Sequence, residues 1–423
     1  NAQGLVENVQ ILSSNLVQNG DFSEEGVQEV SNGSFSQEGV EVSSDVNFDN
    51  PSNWTLTGQS TVSNGVAHIL QDDAANTGVI ANTTITNKTY RITGVVSDYV
   101  SGSVGFSSIG STSLREAIPS QNGEFTIYYT STRSTPSAWN IQRISSPCNL
   151  KIDNVSVREV GQNWALGTGW SIGEDKAVAT VGSGGLIQSG LSIVSGKTYN
   201  VTFDVNINSG TLLYDLGDAP SKSVTQSGSV SVYFVSQSTT AIRFFGSTFN
   251  GSVTNISVKE VGQNWAAKDG VIVSANSSGL VFDNSTGNAS GGVFQNIGLS
   301  DANKYQMTAT MQLLTGASNG TFTVFSSSAN GTSQSQIYTG STLVVGGNAV
   351  TETFEFSPAS GDVSIQFTCD EANATYNVSN VNVIEITDDT NLPRINYGGF
   401  SYQDALGSEL ISNGSFDSDD NWI

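Results

Sequence analysis

The chain has 423 residues and a formal charge of −23, with 38 Asp+Glu against 15 Lys+Arg, one histidine and two cysteines. That sign opposes nucleic acid, whose phosphates need clustered Lys and Arg, and an anionic membrane surface. His68 alone makes no His-based metal cluster. Cys148 and Cys369 make no disulfide framework and read as small buried hydrophobes. No run approaches the ~18 apolar residues of a membrane-spanning helix. Hydrophobic content of 37% with 9% aromatics is enough for packed cores, and abundant Val, Thr, Ser and Gly favours strands.

In chain order, Val6-Glu7-Asn8-Val9-Gln10-Ile11 matches strands that close later modules. Asn15-Leu16-Val17-Gln18-Asn19-Gly20-Asp21-Phe22-Ser23 follows it and reads as a module opening. Asn19 to Val27 then repeats as Asn32 to Val40, a duplication predicted to form an inserted hairpin or surface loop ahead of Trp54. Period-2 alternation in segments such as Phe125-Thr126-Ile127-Tyr128-Tyr129, Tyr199 to Val205 and Phe354-Glu355-Phe356 predicts half-buried antiparallel strands. Gly, Asn and Ser clusters between them supply turns.

The closing pattern recurs as Asp153-Asn154-Val155-Ser156-Val157, Thr254-Asn255-Ile256-Ser257-Val258 and Ser379-Asn380-Val381-Asn382-Val383. The first two continue directly into Val-Gly-Gln-Asn-Trp at Trp164 and Trp265, so one module runs into the next with almost no linker. Such a period exceeds that of a solenoid and suits tandem domains. The predicted organisation is all-β: tandem antiparallel β-sandwich, jelly-roll-like modules as beads on a string. Residues 1–14 would be the last strand of a preceding module, 15–160 the first complete module, 161–260 the second and 261–387 the third. Residues 388–408 would be a linker, and 409–423, with Asn413-Gly414-Ser415-Phe416 and Trp422, the first strand of a following module. Those ends suit either a stretch of a longer chain or a subunit that exchanges strands with its neighbours.

The opening Asn-Gly-Ser/Asp-Phe followed by Trp, with the closing Asn-Val-Ser-Val, resembles the jelly-roll carbohydrate-binding modules of the family 4/9 type. The tandem joint Lys259-Glu260-Val261-Gly262-Gln263-Asn264-Trp265 looks like that of marine bacteriophage tail or head fibre proteins. Leu392-Pro393-Arg394-Ile395-Asn396-Tyr397 is similar to an element of such fibres. The resemblance implies glycan binding and a structural calcium between first and last strands. Its matching positions are Asp21 and Asp153; Thr254 and Ser379 depart from the pattern.

Trp54, Trp164, Trp265 and Trp422 share one module position and read as core anchors. Trp139 has no counterpart in other modules and is the candidate sugar-stacking platform, with Tyr99, Tyr129, Tyr233 and Tyr338 behind it. No nucleophile elbow, phosphate loop or metal-ligand cluster is present. The sequence therefore predicts a non-enzymatic virion-surface or extracellular fibre that engages cell-surface glycans, other copies of itself and other virion proteins. The alternatives are a purely structural strand-exchanged filament and a secreted adhesin or surface-layer protein.

Overall fold

The computed structural model describes residues 10–71, 76–110, 115–181, 184–238, 240–269, 271–276, 278–284, 291–368 and 373–388. Among them every extended element is a β-strand, and the one helical element is a single 3-10 turn at Pro51–Asn53. No helix among them is long and apolar enough to cross a membrane. Three separate hydrophobic cores confirm the tandem sandwiches.

The second body shows the plan. One sheet runs Trp170–Gly173, Lys176–Ala179, Asn250–Val261, Thr198–Ser209, Gly228–Val235. The facing sheet runs Ala165–Leu166, Gly185–Ser189, Ala241–Phe245, Leu212–Leu216, Lys222–Val224. The chain passes back and forth between the two sheets, which gives a jelly roll. Alternation drives it: Tyr199, Val201, Phe203 and Val205 enter the core while Asn200, Thr202 and Asp204 face outward. The third body repeats the same order, from Ile272–Asn276, Gly279–Asp283, Thr375–Asp388, Lys304–Thr315 and Val350–Phe356 over a second five-stranded sheet. In the first body, Thr89–Ser108 and Ser137–Val160 are long enough to run through both faces, so the two sheets join into one.

The closing motif has a backbone cause. Asn154, Asn255 and Asn380 have φ of 54°, 53° and 51°, where pairing with the neighbouring strand slips by a residue. A left-handed bulge residue is tolerated by Asn better than by most side chains, hence its recurrence. In the joint motif, Gly161 and Asn163 (φ 72° and 72°) and Gly262 and Asn264 (70° and 73°) turn the chain into the next body.

The largest departure from expectation lies before residue 50. The predicted inserted hairpin does not form. Residues 10–48 are a ribbon that runs along all three bodies in reverse order. Gln10–Leu12 pairs with the end of Thr375–Asp388 in the third body. Glu25–Gln28 pairs with Asn250–Val261 in the second, and Glu38–Glu41 with Ser137–Val160 in the first. The predicted first module at 15–160 is thereby corrected: Val17 and Phe22 lie in the core of the third body, Val30 and Phe35 in that of the second, and Phe48 in that of the first. Strand-and-turn segments at 13-residue steps, two of them sharing Asn-Gly-x-Phe, made the pairing invisible to local pattern. The predicted strand at 409–423 and the Leu392–Tyr397 element lie outside the described residues.

Candidate functional site: three opening-strand grooves

Each ribbon segment fills the same groove in its body, and the period is 13 residues: Phe22, Phe35 and Phe48. The segments are Asn15–Phe22, Gln28–Phe35 and Glu41–Phe48. The first side chain of each folds back over its own strand. Asn15 Oδ1 accepts from Val17 N (3.0 Å) and from Val383 N of the closing strand (3.0 Å). Gln28 Oε1 accepts from Val30 N (3.2 Å) and Val258 N (2.8 Å). Glu41 Oε1 accepts from Ser43 N and Val157 N, both 2.8 Å. An amide or carboxylate oxygen suffices, which is why three residue types share the position.

The second residue of each segment donates its backbone N–H to the same closing strand: Leu16 to Val383 O, Glu29 to Val258 O and Val42 to Val157 O. At the fourth residue, bodies two and three add a side-chain clamp. Gln188, buried, accepts from Ser31 N (2.7 Å) and donates to Ser31 O (2.8 Å). Gln295 does the same with Gln18 (2.8 and 2.9 Å). A buried amide that both donates and accepts is satisfied by any residue's backbone, so the clamp holds a strand without reading its side chain.

The sixth residue is Gly20, Gly33 or Val46. Its carbonyl accepts from Val381 N, Ile256 N and Val155 N in turn. A Cβ on Gly20 would stand 2.0 Å from Val381 O, and one on Gly33 2.0 Å from Ile256 O. Glycine is therefore a steric requirement in bodies two and three. The segment ends on a Phe with φ of 59°, 58° or 54°. That region is strained for a bulky side chain, and it is held by burial against the body's own tryptophan. Ring centroids are 5.4 Å apart for Phe22 and Trp265, 5.2 Å for Phe35 and Trp164, and 4.4 Å for Phe48 and Trp54. Trp164 Nε1 donates to Asn32 O, and Trp54 Nε1 to Asp45 Oδ2. The tryptophans are core anchors, as predicted, and each anchors a distant segment.

Charge lines the outside of the ribbon. Glu25 pairs with Lys259 at 2.8 Å, and Glu38 pairs with Arg91. The Glu38 hydrogen bond raises the Arg91 guanidinium pKa. Gln162 and Gln263 of the joint motif lie over Gly39 and Gly26, closing the ribbon onto each inter-body joint.

The predicted glycan platform is corrected. Trp139 is 0% exposed, stacks on Phe106 at 5.2 Å, and donates Nε1–H to Thr83 Oγ1. It has no counterpart because the first body alone fuses its sheets there. Tyr129 is buried too, hydrogen-bonded to Ser108. Tyr99 is half-buried and donates to Gly102 O. Tyr338 stacks flat on Phe354 at 3.8 Å and donates to Glu352. Tyr233 is half-buried beside Pro220 and Lys222, lining a shallow cleft of about 440 Å³, and burial raises its pKa. These tyrosines are dispersed over three bodies and form no shared site.

The predicted calcium pair is likewise separated. Asp21 belongs to the third body, in a cleft with Glu24, Asn380 and Asn382. Asp153 lies in the first body, and its Oδ1 accepts from Asn154 N. The Ser23 backbone N–H lowers the Asp21 pKa. Among the described residues no group of three or more His, Cys, Asp or Glu is placed to hold a metal ion. His68 Nε2 lies 2.9 Å from Asn149 Oδ1 on a strand of the first body. Cys148 is free and buried, as expected; Cys369 lies outside the described residues.

No protein-family model and no curated protein matches the chain. Among solved structures, it is similar to the N-terminal CBM22-1–CBM22-2 tandem domain of Paenibacillus barcinonensis Xyn10C, at 10% identity and TM-score 0.25, covering 53% of this chain and 98% of that one. The CBM22-1 xylan-binding domain of the same enzyme aligns at 18% identity and TM-score 0.25, covering 29% of this chain and 86% of that one. A triple jelly-roll protein of an archaeal virus, described with its turret assembly, aligns at 16% identity and TM-score 0.21, covering 79% of this chain and 89% of that one. The jelly-roll assignment itself rests on the strand order above.

Proposed function

We propose that the chain is a non-enzymatic structural rod of a virion surface or other extracellular appendage, in which the ribbon locks three sandwich bodies into one stiff arm. The observation that carries this reading is the reversed lacing: one continuous segment completes the third, second and first cores in turn. A body that borrows its opening strand from the far end of the chain cannot swing freely on its joint. The joints themselves are tight. Thr198 Oγ1 donates to Val273 O across the second joint, and Tyr128 of the first body packs on the core of the second. At the third body Gln10–Leu12 pairs with the end of Thr375–Asp388, which brings the start of the ribbon onto the last closing strand.

Small-angle scattering tests this. The intact chain should give a rigid-rod profile, and a Gly20→Val, Gly33→Val double variant a flexible one with a broader distance distribution. A flexible profile for the intact chain would overturn the reading.

A second reading, glycan engagement by the outer surface, is supported by the open Tyr233–Pro220–Lys222 cleft of the second body. Sugar faces stack on exposed aromatic planes, and a repeated weak site gains from multivalency. A glycan array on the intact chain and on Tyr233→Ala tests it. Binding unaffected by the substitution removes this cleft from the account.

A further inference from the structure

The grooves of the second and third bodies make the same demands on the segment that fills them. These are a side-chain oxygen acceptor at the first position, an aliphatic at the third, Asn at the fifth, Gly at the sixth and Phe at the eighth. Asn15–Phe22 and Gln28–Phe35 both meet every one of them. The clamps, Gln295 and Gln188, touch only backbone. The second position differs, Leu16 packing on the third core and Glu29 Oε2 accepting from Ser192 N in the second, but the acceptor, Asn, Gly and Phe positions are common to both. Glu41–Phe48 differs: Val46 occupies the glycine position, and any Cβ there would meet Val381 O or Ile256 O at 2.0 Å.

The spacing of the ribbon is the remaining variable. Thirteen residues, which reach at most about 43 Å when fully extended, separate the segments of neighbouring grooves. Glu41–Phe48 is fixed in the first body by its short connection to Trp54, so each earlier segment falls one groove further along.

We propose that the second and third grooves are interchangeable peptide-binding sites, and that tether length, not side-chain recognition, decides which ribbon segment each one takes. The ligand class is an extended peptide of the form acceptor–x–Val/Ile–x–Asn–Gly–x–Phe. A further segment of this chain has that form: Glu409, Ile411, Asn413, Gly414 and Phe416 stand at the required positions, with a carboxylate acceptor as in Glu41. That segment, presented by a second copy, is the third ligand these grooves accept.

The test deletes residues 25–37 from the full chain in a Gly414→Val background, which keeps the chain's own 409–416 segment out of the emptied groove. Phe22 then stands where Phe35 stood relative to Glu41. The proposal predicts that Asn15–Phe22 moves into the second body, although the sequence removed is largely the second body's own segment. By hydrogen exchange, Ile256 and Val258 amides should stay protected, while Val381 and Val383 amides exchange at least ~10-fold faster. Loss of protection at Ile256 and Val258, with or without loss in the third body, overturns the proposal. Peptides spanning residues 15–24 or 409–417, added to the deletion variant, should each restore protection at Val381. The same peptides with Val at the glycine position should not. Failure of either peptide to restore protection also overturns interchangeability. Neither failure bears on the stiffness of the intact rod, which scattering reads separately.

Discussion

Phe22 packs against Trp265, with ring centroids 5.4 Å apart, although the nearest tryptophan downstream in sequence is Trp54. Deleting the Phe22 ring leaves a cavity in the third core that backbone pairing cannot fill. Phe22→Ala should destabilise the third body by roughly 3–5 kcal/mol and leave the first two unchanged, since distant sites add independently. Denaturant unfolding followed by hydrogen exchange in Lys304–Thr315 and in Thr198–Ser209 separates the two. Phe35→Ala should show the reverse pattern.

Gly33→Ala tests the steric requirement. Its Cβ would meet a backbone carbonyl that has no side-chain freedom to move aside. The expected result is release of Gln28–Phe35 from the second body, read as rapid exchange of the Ile256 amide. Val46→Gly in the first body should leave the Val155 amide protected, because that groove already accepts the larger residue.

Gln188→Ala removes a clamp rather than a core residue. Ser31 N–H and C=O would lose their partner in a part-buried setting, at a cost of about 0.5–1.5 kcal/mol to seating of the ribbon. Melting of the second body should fall while Trp164 remains buried at low temperature. Equal stability of the variant and the parent would show that the clamp contributes nothing.

Trp139→Ala should behave as a core deletion. A fully buried indole stacked on Phe106 and edge-on to Trp54 predicts a loss of roughly 3–5 kcal/mol in the first body. Any glycan bound by the chain should still bind below the melting temperature of that body.

Glu352 gives the pH dependence a sign. Its carboxylate accepts from Ser341 Oγ and N and from Tyr338 OH, and the Ser341 hydroxyl is the main cause of its lowered pKa. A carboxylate whose folded pKa lies below its unfolded value stabilises the fold above the unfolded value, near ~4.3. That contribution is lost as pH falls through the folded pKa. The melting-temperature difference between the parent and Glu352→Gln should be largest above about pH 5 and shrink below about pH 4. Asp204, held low by Ser229 and then Asn255, should act in the same direction in the second body.

The strands, the turns and the tryptophan anchors were legible because each is a local consequence of alternation, left-handed Asn and buried aromatic bulk. The lacing was not. Asn19-Gly20-Asp21-Phe22 looks like an opening strand and is one, but nothing local says for which body. The third segment hid further, since Asp45-Val46-Asn47-Phe48 lacks the Asn-Gly pair. One signal was present: neither Trp164 nor Trp265 has an Asn-Gly-x-Phe ahead of it at its own joint, while two such phenylalanines, Phe22 and Phe35, and then Phe48 precede Trp54 at 13-residue steps. Matching three phenylalanines to three tryptophans would have assigned one to each body. The candidate glycan residues failed for a related reason. Trp139 was singled out by its lack of counterparts, and that uniqueness marks a body whose sheets fuse rather than a binding surface.

The most direct measurement is a nuclear Overhauser spectrum of the full chain with labelled Phe and Trp rings. The reversed lacing predicts cross-peaks between Phe22 and Trp265, between Phe35 and Trp164, and between Phe48 and Trp54. Cross-peaks from Phe22 or Phe35 to Trp54, with none to Trp265 or Trp164, would contradict it.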